Sequence, residues 1–192
     1  MSLTVEKCLQ AWTNSLKQMN VKADIVFFGD SLTYYGDFSS LFPDKVVCNL
    51  GLRGDTIQGM IDRVEQVKLL EPRMIFLMAG INDVTKRSLN SFESSLNELV
   101  NILVSQIKDV DLIIHSLLPV NDMNFSISCN NDQIVSYNEI ICRISANYKL
   151  KYIDLFSLYA IDGELSKEMT IDGLHLKSGD YNKWYKKIKL MV

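Results

Sequence analysis

The sequence predicts an α/β fold, a three-layer α/β/α sandwich around a five-stranded parallel sheet, and three observations predict it. Short apolar runs rich in Val, Ile and Phe recur along the chain, without the alternation of a half-exposed sheet. Segments of helical period separate them, so strand and helix alternate, the pattern of parallel pairing through right-handed crossovers. A polar cluster follows most of the apolar runs, at the carboxyl ends of strands, where open parallel sheets bind their ligands.

In chain order, a helix is expected near Val5–Met19 and a first strand over Ile25–Phe28, followed by Gly29-Asp30-Ser31. A second strand, Val46–Cys48, leads into Asn49-Leu50-Gly51. The helix expected over Thr56–Leu70 carries Ile57, Met60, Ile61, Val64 and Val67 on one side, with Asp55 or Thr56 to cap it and Pro72 to stop it. The strand Met74–Met78 runs into Gly80-Ile81-Asn82-Asp83, and a helix from Ser91 to Ile107 follows. A fourth strand, Leu112–Ile114, ends in His115-Ser116 before a turn at Pro119. The irregular stretch Val120–Cys129 offers Met123 and Phe125 as walls of the crevice or as residues tucked onto the core. A helix from Asp132 to Tyr148, a strand at Tyr152–Ile153 and a terminal helix from Ser178 to Leu190 complete the set.

At 192 residues the chain reads as one domain, long enough to bury roughly 70% of the surface its unfolded form exposes. A net charge of −3, from 20 basic and 23 acidic residues without a basic stripe, argues against a nucleic-acid partner. Lys183, Lys186, Lys187 and Lys189 fall at helical spacing among Trp184, Tyr185, Ile188 and Leu190, as on the solvated face of a terminal helix. Cys8, Cys48, Cys129 and Cys142 show no paired spacing and are expected to be buried free thiols. No run approaches the ~20 apolar residues of a membrane span. No leader pattern opens the chain, so a cytoplasmic location is expected, with export of the native protein left open.

The chemistry gathers at the strand ends. A serine hydroxyl is a poor nucleophile until a base accepts its proton, and an imidazole serves best when a carboxylate fixes its tautomer. Ser31 supplies the hydroxyl, and Asp172-Gly173-Leu174-His175 places a carboxylate three residues before an imidazole. Acyl transfer also needs donors for the oxyanion: the backbone N–H of Ser31, the N–H of Gly51 and the side-chain amide of Asn82 are in place for it. Each piece has a plain alternative as a turn or cap, but four such turns at the right strand ends make coincidence a poor account. His115 lies at the end of an apolar run and reads as a structural histidine. With only two histidines no metal centre is supported. Arg53 is expected to pair with Asp55 or Asp83 rather than to meet substrate.

The four blocks Gly29-Asp30-Ser31-Leu32, Asn49-Leu50-Gly51-Leu52-Arg53-Gly54, Gly80-Ile81-Asn82-Asp83 and Asp172-Gly173-Leu174-His175 resemble, in order, the signature blocks of the SGNH hydrolase (GDSL-type esterase/lipase) superfamily. The resemblance spans residues 25 to 176 and is nearest the platelet-activating-factor acetylhydrolase-like and carbohydrate acetylesterase branch. It implies a flavodoxin-like sheet, Ser31 as nucleophile, His175 as base, Asp172 as its orienter, an oxyanion hole from Ser31, Gly51 and Asn82, and no cofactor or metal. The expected substrate is a small ester with a short acyl group, first an O-acetyl group on a carbohydrate. A lysophospholipase or thioesterase acting on longer chains is the alternative enzyme. Outside catalysis, a carbohydrate- or lipid-binding module with a mispositioned triad remains, as does a phosphate or flavin binder of similar topology. The acidic residue and the tyrosines in Gly29-Asp30-Ser31-Leu32-Thr33-Tyr34-Tyr35 suit a phosphate cradle poorly.

Overall fold

The computed structural model describes residues 3–121 and 129–192. Met123 and Phe125, considered above as crevice walls, lie outside the described residues. Five strands form one parallel sheet: β1 (Ile25–Gly29), β2 (Val47–Gly51), β3 (Met74–Met78), β4 (Asp111–His115) and β5 (Lys151–Ile153), in the order β2-β1-β3-β4-β5. β1 and β3 are buried almost throughout, which is why their sequences run as unbroken apolar residues.

The helices are α1 (Leu3–Met19), α2 (Ser31–Tyr34), α3 (Ile57–Asp62), α4 (Val64–Leu70), α5 (Leu89–Gln106), α6 (Asn131–Asn147), α7 (Leu155–Tyr159) and α8 (Asn182–Lys189). From β2 onward every crossover advances the same way across the sheet, so right-handed connections put α3–α4, α5 and α6 on one face, and α3 touches α5 as α5 touches α6. Side chains alternate faces along a strand, so Phe27 and Phe76 point opposite to Phe28. Phe27 stacks between Phe38 at 3.9 Å and Phe76 at 4.8 Å, and Trp184 of α8 meets Phe38 edge-on at 5.4 Å. Each such buried ring contributes on the order of 2 kcal/mol through removal from water. The lysines of α8 are exposed, as its periodicity predicts. No described helix is long and apolar enough to cross a membrane.

Differences from the expected elements have local causes. The helix expected over residues 56–70 breaks at Arg63, whose backbone (φ −115°, ψ 12°) caps α3 and starts α4 while its guanidinium turns inward. Ser88 rather than Ser91 caps α5, accepting from the Ser91 N–H, and Asn130 rather than Asp132 opens α6 in a reciprocal capping box with Gln133. Short elements without periodicity, α7 and the hairpin β6 (Ala160–Ile161) and β7 (Glu164–Leu165), carry too few residues to be read from pattern. Of the cysteines, Cys129 is buried, Cys48 is half-buried and Cys142 is exposed, so burial holds for only one of these three free thiols.

The sheet order reverses direction between β1 and β3. In open parallel sheets the ligand crevice lies at such a switch point, beyond the carboxyl ends of the two strands, where the segments after β1 and β3 form its lips.

Candidate active site

Ser31 begins α2 directly beyond the end of β1. Asp30 between them is fully buried and caps the helix, its Oδ1 accepting from the Leu32 N–H at 2.9 Å. Two further residues hold this single turn from outside. The Asn49 amide donates to the carbonyls of Thr33 and Gly36 at 2.9 and 3.0 Å, and the Tyr181 hydroxyl donates to Leu32 O at 2.8 Å. Ser31 is 6% exposed.

A loop from Thr170 to Leu176 supplies the other two groups. Those two residues bridge, while the Ile171 N–H and the Thr170 hydroxyl both donate to His175 O at 2.9 Å. The Asn121 N–H donates to Gly173 O at 2.8 Å, fastening the loop to the segment that follows β4. Asp172 Oδ1 accepts from the backbone N–H groups of Leu174 at 3.1 Å and His175 at 2.8 Å. Its Oδ2 lies 2.6 Å from His175 Nδ1, and His175 Nε2 lies 2.8 Å from Ser31 Oγ. A carboxylate beside Nδ1 assigns the ring proton there, leaving Nε2 as acceptor for the serine hydroxyl. Desolvation pushes the Asp172 carboxyl up, but the hydrogen bonds from the His175 N–H and ring and the Leu174 N–H outweigh it and hold the group below the usual carboxylate range.

On the oxyanion side the structure corrects one assignment. The Gly51 N–H is spent on Asn49 Oδ1 at 2.8 Å. A Cβ at residue 51 would fall 2.2 Å from the backbone N of Tyr34, so glycine is needed there for the close passage of α2. Gly54, three residues on, has φ +73° and open space beside it, and its N–H makes no hydrogen bond among the described residues. The Asn82 amide donates to Asp55 O at 2.8 Å, which brings the Gly54–Asp55 turn to the Asn82 lip and leaves the second amide hydrogen for the crevice. The Ser31 N–H likewise has no partner among the described residues. The signal for Gly54 was its place in a turn; nothing in the sequence showed that the Gly51 N–H would be occupied.

Beneath the crevice lies a buried charge cluster. Arg63 Nε contacts Asp55 Oδ2 at 2.8 Å, and its Nη2 donates to Gly29 O and Leu50 O at 3.1 and 2.9 Å, the carbonyls where β1 and β2 end. Asp83 accepts from the Ile57 N–H at 3.0 Å and pairs with Arg87 at 2.9 Å. Burial, together with the Asp55 and Asp83 charges, pushes the Asp30 carboxyl up to about 7 against the Leu32 N–H and the Arg63 guanidinium. Arg63 and Arg87 thus occupy the two carboxylates expected to pair with Arg53. That residue instead lies exposed, with its guanidinium 5.7 Å above the Tyr35 ring. His115 is buried and accepts from Trp184 Nε1 at 3.2 Å; burial lowers its pKa to about 3, so it is a neutral structural ring. The described residues hold no group of three or more metal-ligating side chains.

A model of the GDSL-like lipase/acylhydrolase family matches residues 27–179. A multidomain esterase from Ruminococcus flavefaciens is 26% identical over 130 residues, covering 67% of this chain but only 16% of that protein. The fold is similar over 100% of this chain to 99% of a Streptococcus pneumoniae structure solved as a platelet activating factor candidate, with TM-score 0.84 and 23% identity. It is also similar to a catalytic mutant of an acetylxylan esterase from Geobacillus stearothermophilus, over 88% of this chain and 93% of that one, with TM-score 0.71 and 16% identity.

Proposed function

The chain belongs to the GDSL-like lipase/acylhydrolase family and is an ester hydrolase, and on that premise we propose that it is a serine esterase removing short acyl groups, acetyl first, from a carbohydrate or other small polar alcohol. The observation that carries this reading is the unbroken series from Asp172 Oδ2 through His175 Nδ1 and Nε2 to Ser31 Oγ, at 2.6 and 2.8 Å. An esterase among its relatives and an acetylxylan esterase among structures of like fold make the acetylated carbohydrate the first substrate to consider.

In the proposed reaction Ser31 Oγ bonds to the ester carbonyl carbon as its proton passes to His175 Nε2. Asp172 stays ionised and stabilises the imidazolium. The negative oxygen of the tetrahedral intermediate accepts from the N–H of Ser31, the N–H of Gly54 and the free amide hydrogen of Asn82. As the carbon–oxygen bond to the alcohol breaks, His175 returns its proton to the departing oxygen. Water then attacks the acyl-serine, giving its proton to His175, and the acid leaves as Ser31 regains its hydrogen.

Steady-state hydrolysis of p-nitrophenyl acetate, butyrate and octanoate by the wild type and Ser31→Ala tests this. The expected result is activity that vanishes with Ser31 and declines with chain length. Rates that rise with chain length would favour a longer-chain acylhydrolase. Folded protein inactive on all three esters would favour a binding module.

A further inference from the structure

Beyond the catalytic residues, two exposed cations, Arg53 and Lys86, stand over one cavity with no direct ion pair among the described residues, although the Lys86 charge acts on Asp83. The cavity, of about 450 Å³, is bounded by Arg53, Gly54, Thr56, Gln58, Asp62 and Lys86. It shares the Gly54–Asp55 turn with the Asn82 contact, so the two are neighbours across that turn. Neither Arg53 nor Lys86 forms an ion pair among the described residues, and both are exposed. Of the carboxylates on the same wall, Asp55 is paired with Arg63 at 2.8 Å, while Asp62 accepts from the Gln58 amide at 3.0 Å and keeps its charge, leaving the two cations in excess of one free carboxylate.

Tyr35 links this cavity to the reaction centre. Its ring carries the Arg53 guanidinium on one face at 5.7 Å and stands edge-on to the His175 ring at 5.4 Å. The aromatic face restrains a long cationic side chain that would otherwise range through solvent. A guanidinium separated from the catalytic imidazole by one aromatic ring, with a lysine on the same cavity, suits a planar or tetrahedral anion on the alcohol part of a substrate.

Resting on the esterase reading, we propose that Arg53 and Lys86 form an anion subsite, and that the preferred substrate is an ester whose alcohol part carries a carboxylate or phosphate group.

The experiment compares O-acetyl glucose, O-acetyl glucuronic acid and O-acetyl glucose phosphate. For each ester kcat/KM is measured with the wild type and with the Arg53→Gln, Lys86→Gln double variant. Equilibrium binding of the same three compounds is measured on Ser31→Ala and on Ser31→Ala carrying both substitutions. The charged esters should exceed the neutral one by roughly two- to fivefold in both readouts, as expected for an exposed charge contact. That ratio should fall to near one in the substituted proteins, and should shrink in the wild type as salt is raised. Which charged ester leads tells carboxylate from phosphate. Equal handling of neutral and charged esters, or a preference that survives the double substitution, would overturn the subsite. Loss of the esterase reading would show differently, as hydrolysis indifferent to Ser31, while the binding ratios would still decide the subsite.

Discussion

Exchanging Asp30 for Asn should change how the stability of this protein responds to pH. Burial first, and then the facing charges of Asp55 and Asp83, raise the Asp30 carboxyl from 3.8 to about 7, against the Leu32 N–H and Arg63. A shift of about 3 units at 1.36 kcal/mol each is about 4 kcal/mol. The folded state binds this proton more tightly than the unfolded chain, so the protonated form favours folding. Stability is therefore lost as pH rises from about 4 through 7, and the full cost is present above the folded pKa. Asn keeps an oxygen for the Leu32 N–H but never ionises. Its nitrogen would sit where Asp30 Oδ2 has no hydrogen-bond partner, a cost of about 1–3 kcal/mol that does not vary with pH. Urea unfolding of both proteins from pH 5 to pH 8 should therefore show the difference in stability moving toward the variant by about 2.7 kcal/mol, the two pH units between 5 and the folded pKa at 1.36 kcal/mol each. Parallel curves would refute the reasoning, because they would mean that Asp30 is ionised at no such cost.

Other substitutions probe the frame of the crevice. Asn82→Ala should lower kcat about a hundred- to a thousandfold with little change in KM on p-nitrophenyl acetate, the effect of deleting one oxyanion donor. Asp172→Ala should cost less than Ser31→Ala or His175→Ala, roughly 10⁴ against 10⁶ in kcat, because removing a triad carboxylate leaves nucleophile and base in place; equal losses would contradict that ranking. Gly51→Ala should destabilise by about 3 kcal/mol or more, since its Cβ would strike the Tyr34 backbone at 2.2 Å. Gly54→Ala meets open space and should cost only about 1 kcal/mol, from its positive φ, in the same denaturation assay. Asn49→Ala should lose about 2 kcal/mol and lower kcat as well, because two hydrogen bonds that seat α2 and its exit, and a third from the Gly51 N–H, depend on it.

Much of this architecture was legible because it is written in periodicity. The apolar runs at Ile25, Met74 and Leu112 place β1, β3 and β4 to within a residue or two, and the crevice follows from strand ends alone. The Asp172 and His175 side chains meet because three residues of turn suffice, a local relation that spacing encodes. Ser31 reaches His175 across 144 residues, and only the order of strands in the sheet brings them together. The break at Arg63 did leave a trace: an arginine stands between Met60 and Val67 on the buried stripe of the expected helix. Its reason, the carbonyls of Gly29 and Leu50 converging beneath it, is tertiary. Gly51 and Gly54 are indistinguishable as turn glycines until backbone hydrogen bonds are assigned. The same holds for Arg53, whose expected partners were taken by arginines from elsewhere in the chain.

The claim on which the account turns is that Ser31 carries the acyl group. Rapid mixing with p-nitrophenyl acetate, acid quenching and mass spectrometry of the digested protein addresses it directly. The account predicts an acetyl group on the peptide containing Ser31 in the wild type and none in Ser31→Ala. Turnover without any acetylated Ser31 peptide, or acetylation unaffected by Ser31→Ala, would contradict it.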